Sequence, residues 1–132
     1  MSQNKTPVLL EELTAEWLQK VLSPHFEGES IVGFSKEIIG VGEGFMGQLA
    51  RISLTYDRDQ STAPKTIIAK FAAVRQDTRD MAADRNLYKR EIGFYRDIGN
   101  KSGVPIPECY YADYFEEKNQ FVLLIEDLAP GE

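Results

Sequence analysis

Between Ile38 and Leu54 the chain reads Ile-Ile-Gly-Val-Gly-Glu-Gly-Phe-Met-Gly-Gln-Leu-Ala-Arg-Ile-Ser-Leu. Gly42, Gly44 and Gly47 form G-x-G-x-x-G, with Gly40 just ahead of them. A backbone without Cβ atoms can approach a phosphate closely and can adopt positive φ. The flanks of this loop constrain the fold. Ser30 to Val41 is rich in β-branched residues and reads as a strand. After the glycines Ala50, Ile52, Leu54 and Tyr56 alternate with Arg51, Ser53 and Thr55, the period of a half-buried strand. A dinucleotide fingerprint needs a helix at that point, so it is excluded. Strand, glycines, strand is the order of a kinase-type phosphate loop. That loop requires a lysine on the next strand and a glutamate on the helix after it.

Both residue types are in place. Lys65 to Ala73 is a third strand, Lys-Thr-Ile-Ile-Ala-Lys-Phe-Ala-Ala, reached through a polar hairpin loop ending at Pro64. Lys70 interrupts its apolar run. Burying an ammonium is costly, so either a carboxylate or anionic ligand lies nearby, or the strand is an edge and Lys70 reaches out to water. Val74 to Ala83 reads as a loop with a short helix. Asp84 to Ile98 then reads as a helix, with Leu87, Tyr88, Ile92, Tyr95 and Ile98 on one face and Glu91 on or beside that stripe. Gly99 and Asn100 end it. Tyr110 to Phe115 and Gln120 to Glu126 are two more strands around the polar turn Glu116 to Asn119. A short helix, Ala15 to Leu22 capped by Thr14, precedes all of this. Ser23-Pro24 stops it, and His25 beyond it reads as a solvated or capping residue.

The remaining composition narrows the function class. The chain has 132 residues and a net charge of −6, which provides no basic footprint for nucleic acid or an anionic membrane surface. The aromatics Tyr110, Tyr111, Tyr114 and Phe115 are therefore read as strand packing, not base stacking. Cys109 is the single cysteine, which excludes an intramolecular disulfide and a cysteine-built zinc site. Phe121 to Ile125 is the longest apolar run, far short of the roughly 20 residues of a membrane helix. With no signal-peptide pattern at the N-terminus, the expected address is the cytoplasm.

Taken together, these segments resemble the N-terminal lobe of the kinase-like phosphotransferases. This is the aminoglycoside phosphotransferase and choline kinase superfamily, and the closer likeness is to its ecdysteroid-kinase-like group. Gly42 to Gly47 with Leu49 resembles the glycine-rich loop, and Ile67-Ile68-Ala69-Lys70 the strand with the nucleotide lysine. Glu91-Ile92-Gly93-Phe94-Tyr95 resembles the Glu-x-x-Phe-Tyr helix segment, and Val104-Pro105-Ile106-Pro107 the linker after it. Leu123 to Leu128 resembles the last strand and hinge.

The resemblance implies an α+β fold: a five-stranded antiparallel sheet with one main helix and a short N-terminal helix, the C-lobe being absent. It divides the chain into an N-terminal extension over 1–29, a nucleotide-binding lobe over 30–128 and the start of a hinge over 129–132. It implies ATP as cofactor, with Lys70 on the phosphates and paired to Glu91. Gly42, Gly44, Phe45, Met46 and Gly47 would cover the phosphates. Val41, Leu49 and Ala69 would roof the adenine, and backbone groups near Glu126 and Leu128 would meet its edge. The family's His-Gly-Asp loop and metal-binding Asn and Asp have no counterpart in this chain. Mg2+ would thus be held by the missing lobe, and no metal ligand is assigned here. Asp97-Ile98-Gly99 is read as a helix stop, not a metal-binding tripeptide. The implied activity is transfer of the ATP γ-phosphoryl group to a hydroxyl of a small molecule. The chain alone is expected to be inactive, with its exposed lobe face prone to self-association. A non-catalytic kinase-like binding module is the alternative.

Overall fold

The computed structural model describes residues 6–26, 29–41, 47–57, 63–84, 86–97 and 108–127, the side chains at 40, 41, 96 and 97 excepted. A 3-10 turn over Leu10–Glu12 leads into α1 (Ala15–Leu22). The strands are β1 (Ile31–Val41), β2 (Gly47–Tyr56), β3 (Thr66–Ala72), β4 (Cys109–Phe115) and β5 (Gln120–Glu126). Between β3 and β4 lie α2 (Gln76–Asp84) and α3 (Leu87–Asp97). One five-stranded sheet results, in the order β1-β2-β3-β5-β4, and each neighbouring pair is antiparallel. The α+β lobe expected from the sequence is the fold observed.

Strand alternation splits the core into two layers. On one face Ala50, Ile52, Leu54, Ile67, Ala69, Phe71, Val122 and Leu124 meet Leu10, Leu13, Trp17, Leu18, Leu22 and Phe26. The N-terminal segment thus shares the core of the sheet. Thr14 caps α1 by accepting from Trp17 N–H at 3.1 Å, and Gln19 Oε1 accepts from Ile31 N–H at 2.5 Å, tying α1 to β1. A register shift between Cys109 and Tyr111 lets consecutive tyrosines reach this layer. The Tyr111 ring meets Trp17 edge-on at 5.2 Å, and Tyr110 meets Phe26 at 5.0 Å. Packing is therefore what the β4 aromatics do. His25, exposed beyond α1, also turns its ring to Tyr110 at 5.5 Å.

On the opposite face Ala72, Phe121, Leu123 and Ile125 pack with Ala82 of α2 and with Tyr88 and Ile92 of α3. The helix expected from Asp84 begins only at Leu87. Asn86 takes φ 55, a left-handed conformation that separates α2 from α3. The short helix in the preceding polar stretch is α2, and a buried arginine holds it in place. Arg79 donates through Nη1 to the Ala73 and Val74 carbonyls at 2.9 and 2.8 Å, and through Nε to Lys118 O at 3.0 Å. Asn119, at φ 55 in the β4–β5 turn, donates its side-chain amide to Arg79 O.

Candidate functional site

β3 lies between β2 and β5, so the edge-strand alternative for Lys70 does not hold. Its ammonium meets Glu91 of α3, with Nζ 2.5 Å from Oε2 and the two side chains 20% and 29% exposed. Strand pairing places Leu49 of β2 and Leu123 of β5 directly beside Lys70. The ion pair is thus set in apolar surroundings but is not sealed from solvent, where a charge-assisted hydrogen bond is strong. One helical turn before Glu91, Tyr88 fixes how α3 sits on the sheet. Its hydroxyl accepts from Ala73 N–H at 3.1 Å, and its ring packs on Phe121 at 4.8 Å. Burial pushes the Tyr88 phenol above its ordinary range. Lys70 and Glu91 are therefore aligned by a contact three residues from each.

The face of the sheet that carries Lys70 can be read in rows. Gly47, buried, pairs with Ala72; Leu49 pairs with Lys70; Arg51 pairs with Ile68; Ser53 pairs with Thr66. Gly47 and Leu49 are thus on the same face as Lys70. Ala69 is not. It is completely buried in the layer under α1, because a side chain one position from Lys70 must point to the other face. Ile68, two positions from Lys70, takes the place on this face. The alternation of β3 carried that signal and the sequence reading passed over it.

The C-terminal end of β5 differs in a second respect. Glu126 N–H donates to Glu108 O at 2.8 Å, while its Oε1 accepts from Glu108 N–H at 3.1 Å. That N–H is committed within the sheet and is not available to a base. Next to it Asp127, which the sequence reading gave no role, is buried. Its Oδ2 accepts from Arg51 Nε at 2.7 Å and Thr66 Oγ1 at 2.9 Å. Gly42, Gly44, Phe45, Met46 and Leu128 lie outside the described residues, as does the linker Val104 to Pro107. Val41 is placed in β1, but its side chain is not described.

Other features lie apart from this site. A cleft of about 430 Å³ between α3 and β4 is lined by Lys89, Ile92, Gly93, Tyr114 and Glu116 and contains neither Lys70 nor Glu91. Lys89 Nζ and Glu116 Oε2 stand 3.1 Å apart across it. Phe94, one turn beyond Glu91, is 43% exposed. Among the described residues no group of three or more His, Cys, Asp or Glu could hold a metal ion. No helix among them is long and apolar enough to cross a membrane.

A glycine loop between antiparallel strands, a central-strand lysine and its helix glutamate define the N-terminal lobe of a kinase-like phosphotransferase. Residues 41–132 match the ecdysteroid kinase-like family, and the chain belongs to that family. No curated protein and no solved structure matches it.

Proposed function

We propose that this chain forms the ATP-binding part of a phosphotransferase that phosphorylates a hydroxyl of a small molecule. The observation that supports this most is the Lys70–Glu91 pair on a central strand between Leu49 and Leu123. A lysine held by a carboxylate, beside apolar side chains that a base can lie against, suits a ligand with a polyanionic end and an aromatic end. Lys70 would bind the α and β phosphates, and Glu91 would orient its ammonium. Gly42, Gly44, Phe45, Met46 and Gly47 would supply backbone N–H groups over the phosphates. Leu49 and Ile68 would contact the adenine, and the segment from Glu126 to Leu128 would line its edge. ATP, when bound, supplies the γ-phosphoryl group and brings Mg2+ with it. The name of the family suggests a steroid alcohol as acceptor class.

Calorimetric titration of full-length protein with MgATP tests the reading. Replacing Lys70 with Ala removes a charge-assisted contact, expected to weaken binding roughly 10- to 100-fold. Equal affinities of wild type and Lys70→Ala would refute the role of Lys70.

A further inference from the structure

Asp127 directly follows β5, and its side chain is only 2% exposed. Leu123 and Ile125 belong to the layer on the Lys70 face, and two residues further along Asp127 lies on the same side. Its Oδ2 joins Arg51 of β2 and Thr66 of β3, which stand 76 and 61 positions away in sequence. Asp127 raises the basicity of the Arg51 guanidinium, mainly through that hydrogen bond, and Glu37, opposite Arg51 on β1, adds to it. Two strands and the residue leaving a third are thereby tied at one oxygen.

Stability alone does not account for this arrangement. Apolar replacement of a buried charge pair is often neutral or stabilising, and Asp127 is desolvated here with only 2% of its side chain exposed. What a charge-assisted hydrogen bond adds is a fixed direction and distance between the groups it joins. Along β3, Thr66 is four residues from Lys70, a separation of about 13 Å at the rise of a strand. The anchored segment is therefore remote from the phosphate end of the site and adjacent to its base end.

We infer that Arg51 and Thr66, acting through Asp127, are positioning residues that set the Glu126–Asp127 backbone against the base of the bound nucleotide. The inference rests on the ATP-binding reading and assigns these residues to affinity for the base, as Lys70 is assigned to affinity for the phosphates. The two roles separate when the ligand is cut in two. Full-length wild type, Arg51→Met, Thr66→Val and Lys70→Ala are titrated calorimetrically with adenosine and with magnesium tripolyphosphate. Arg51→Met is expected to raise the Kd for adenosine about tenfold and that for tripolyphosphate by less than about twofold. Thr66→Val should follow it with a smaller effect, and Lys70→Ala should show the opposite pattern. Thr66→Val keeps the β-branched shape and carries the test if Arg51→Met fails to fold. Equal losses for both ligands, or unchanged adenosine binding, would overturn the positioning role while leaving the ATP-binding reading intact. Wild type that binds neither ligand would overturn both.

Discussion

Leu18 lies in the middle of α1 with no exposed surface, packed in the layer between α1 and the sheet. Truncating it to alanine removes buried apolar volume and leaves a cavity between α1 and the sheet. For a fully buried leucine this costs about 3–5 kcal/mol. That is a large fraction of the roughly 5–15 kcal/mol that holds a domain folded. In a chain of this size it corresponds to a fall in Tm of roughly 10–20 °C. Urea unfolding followed by circular dichroism, with Lys20→Ala as control, measures it. Lys20 is exposed on the same helix, and its replacement should stay within about 0.5 kcal/mol. A loss below about 1 kcal/mol for Leu18→Ala would refute the integration of α1 into the core. So would a separate low-temperature transition in the wild type, because α1 would then melt independently of the sheet.

Two further outcomes follow from strand alternation and burial. Ile68→Ala should weaken MgATP binding about three- to tenfold through lost contact with the base, while Ala69→Leu should lower stability by about 1–3 kcal/mol through overpacking; the reverse assignment in calorimetry and denaturation would show that the two faces were exchanged. Burial pushes Tyr56 and Tyr110 up to about 12 from an ordinary 10.0, with Glu108 and Glu126 adding to the shift of Tyr110. These phenols favour the folded state fully below about pH 10 and lose that contribution as pH rises toward about 12. Ultraviolet titration should therefore show late-ionising tyrosines and unfolding in the same range, and ordinary ionisation of all six tyrosines would contradict it.

The Lys70–Glu91 pair shows how far local pattern extends. A cation inside an apolar strand and a carboxylate beside an apolar helix stripe each required a partner, and their order in the chain nominated one another. The Arg51–Asp127–Thr66 group carried no such signal. Arg51 occupies the polar phase of an alternating strand, where an exposed residue is the ordinary expectation. Asp127 follows an apolar strand, where a turn residue is equally ordinary. Arg79 reads as a surface position on a polar helix and is instead buried by the end of β3 and the β4–β5 turn, which no local window contains.

By itself the sequence determined the five strands, the helices and the glycine-loop order, because side-chain period, caps and breakers act over a few residues. It also determined the family and the lysine and glutamate at the centre of the candidate site. Tertiary structure alone decided that the N-terminal segment completes the core and that α3 starts at Leu87. It also decided that Ile68, not Ala69, faces the site. The physical reason is that sheet order sets which strands are neighbours and register sets which side chains meet. Both depend on contacts between segments far apart in the chain, as with Arg51 and Asp127 just beyond the end of β5.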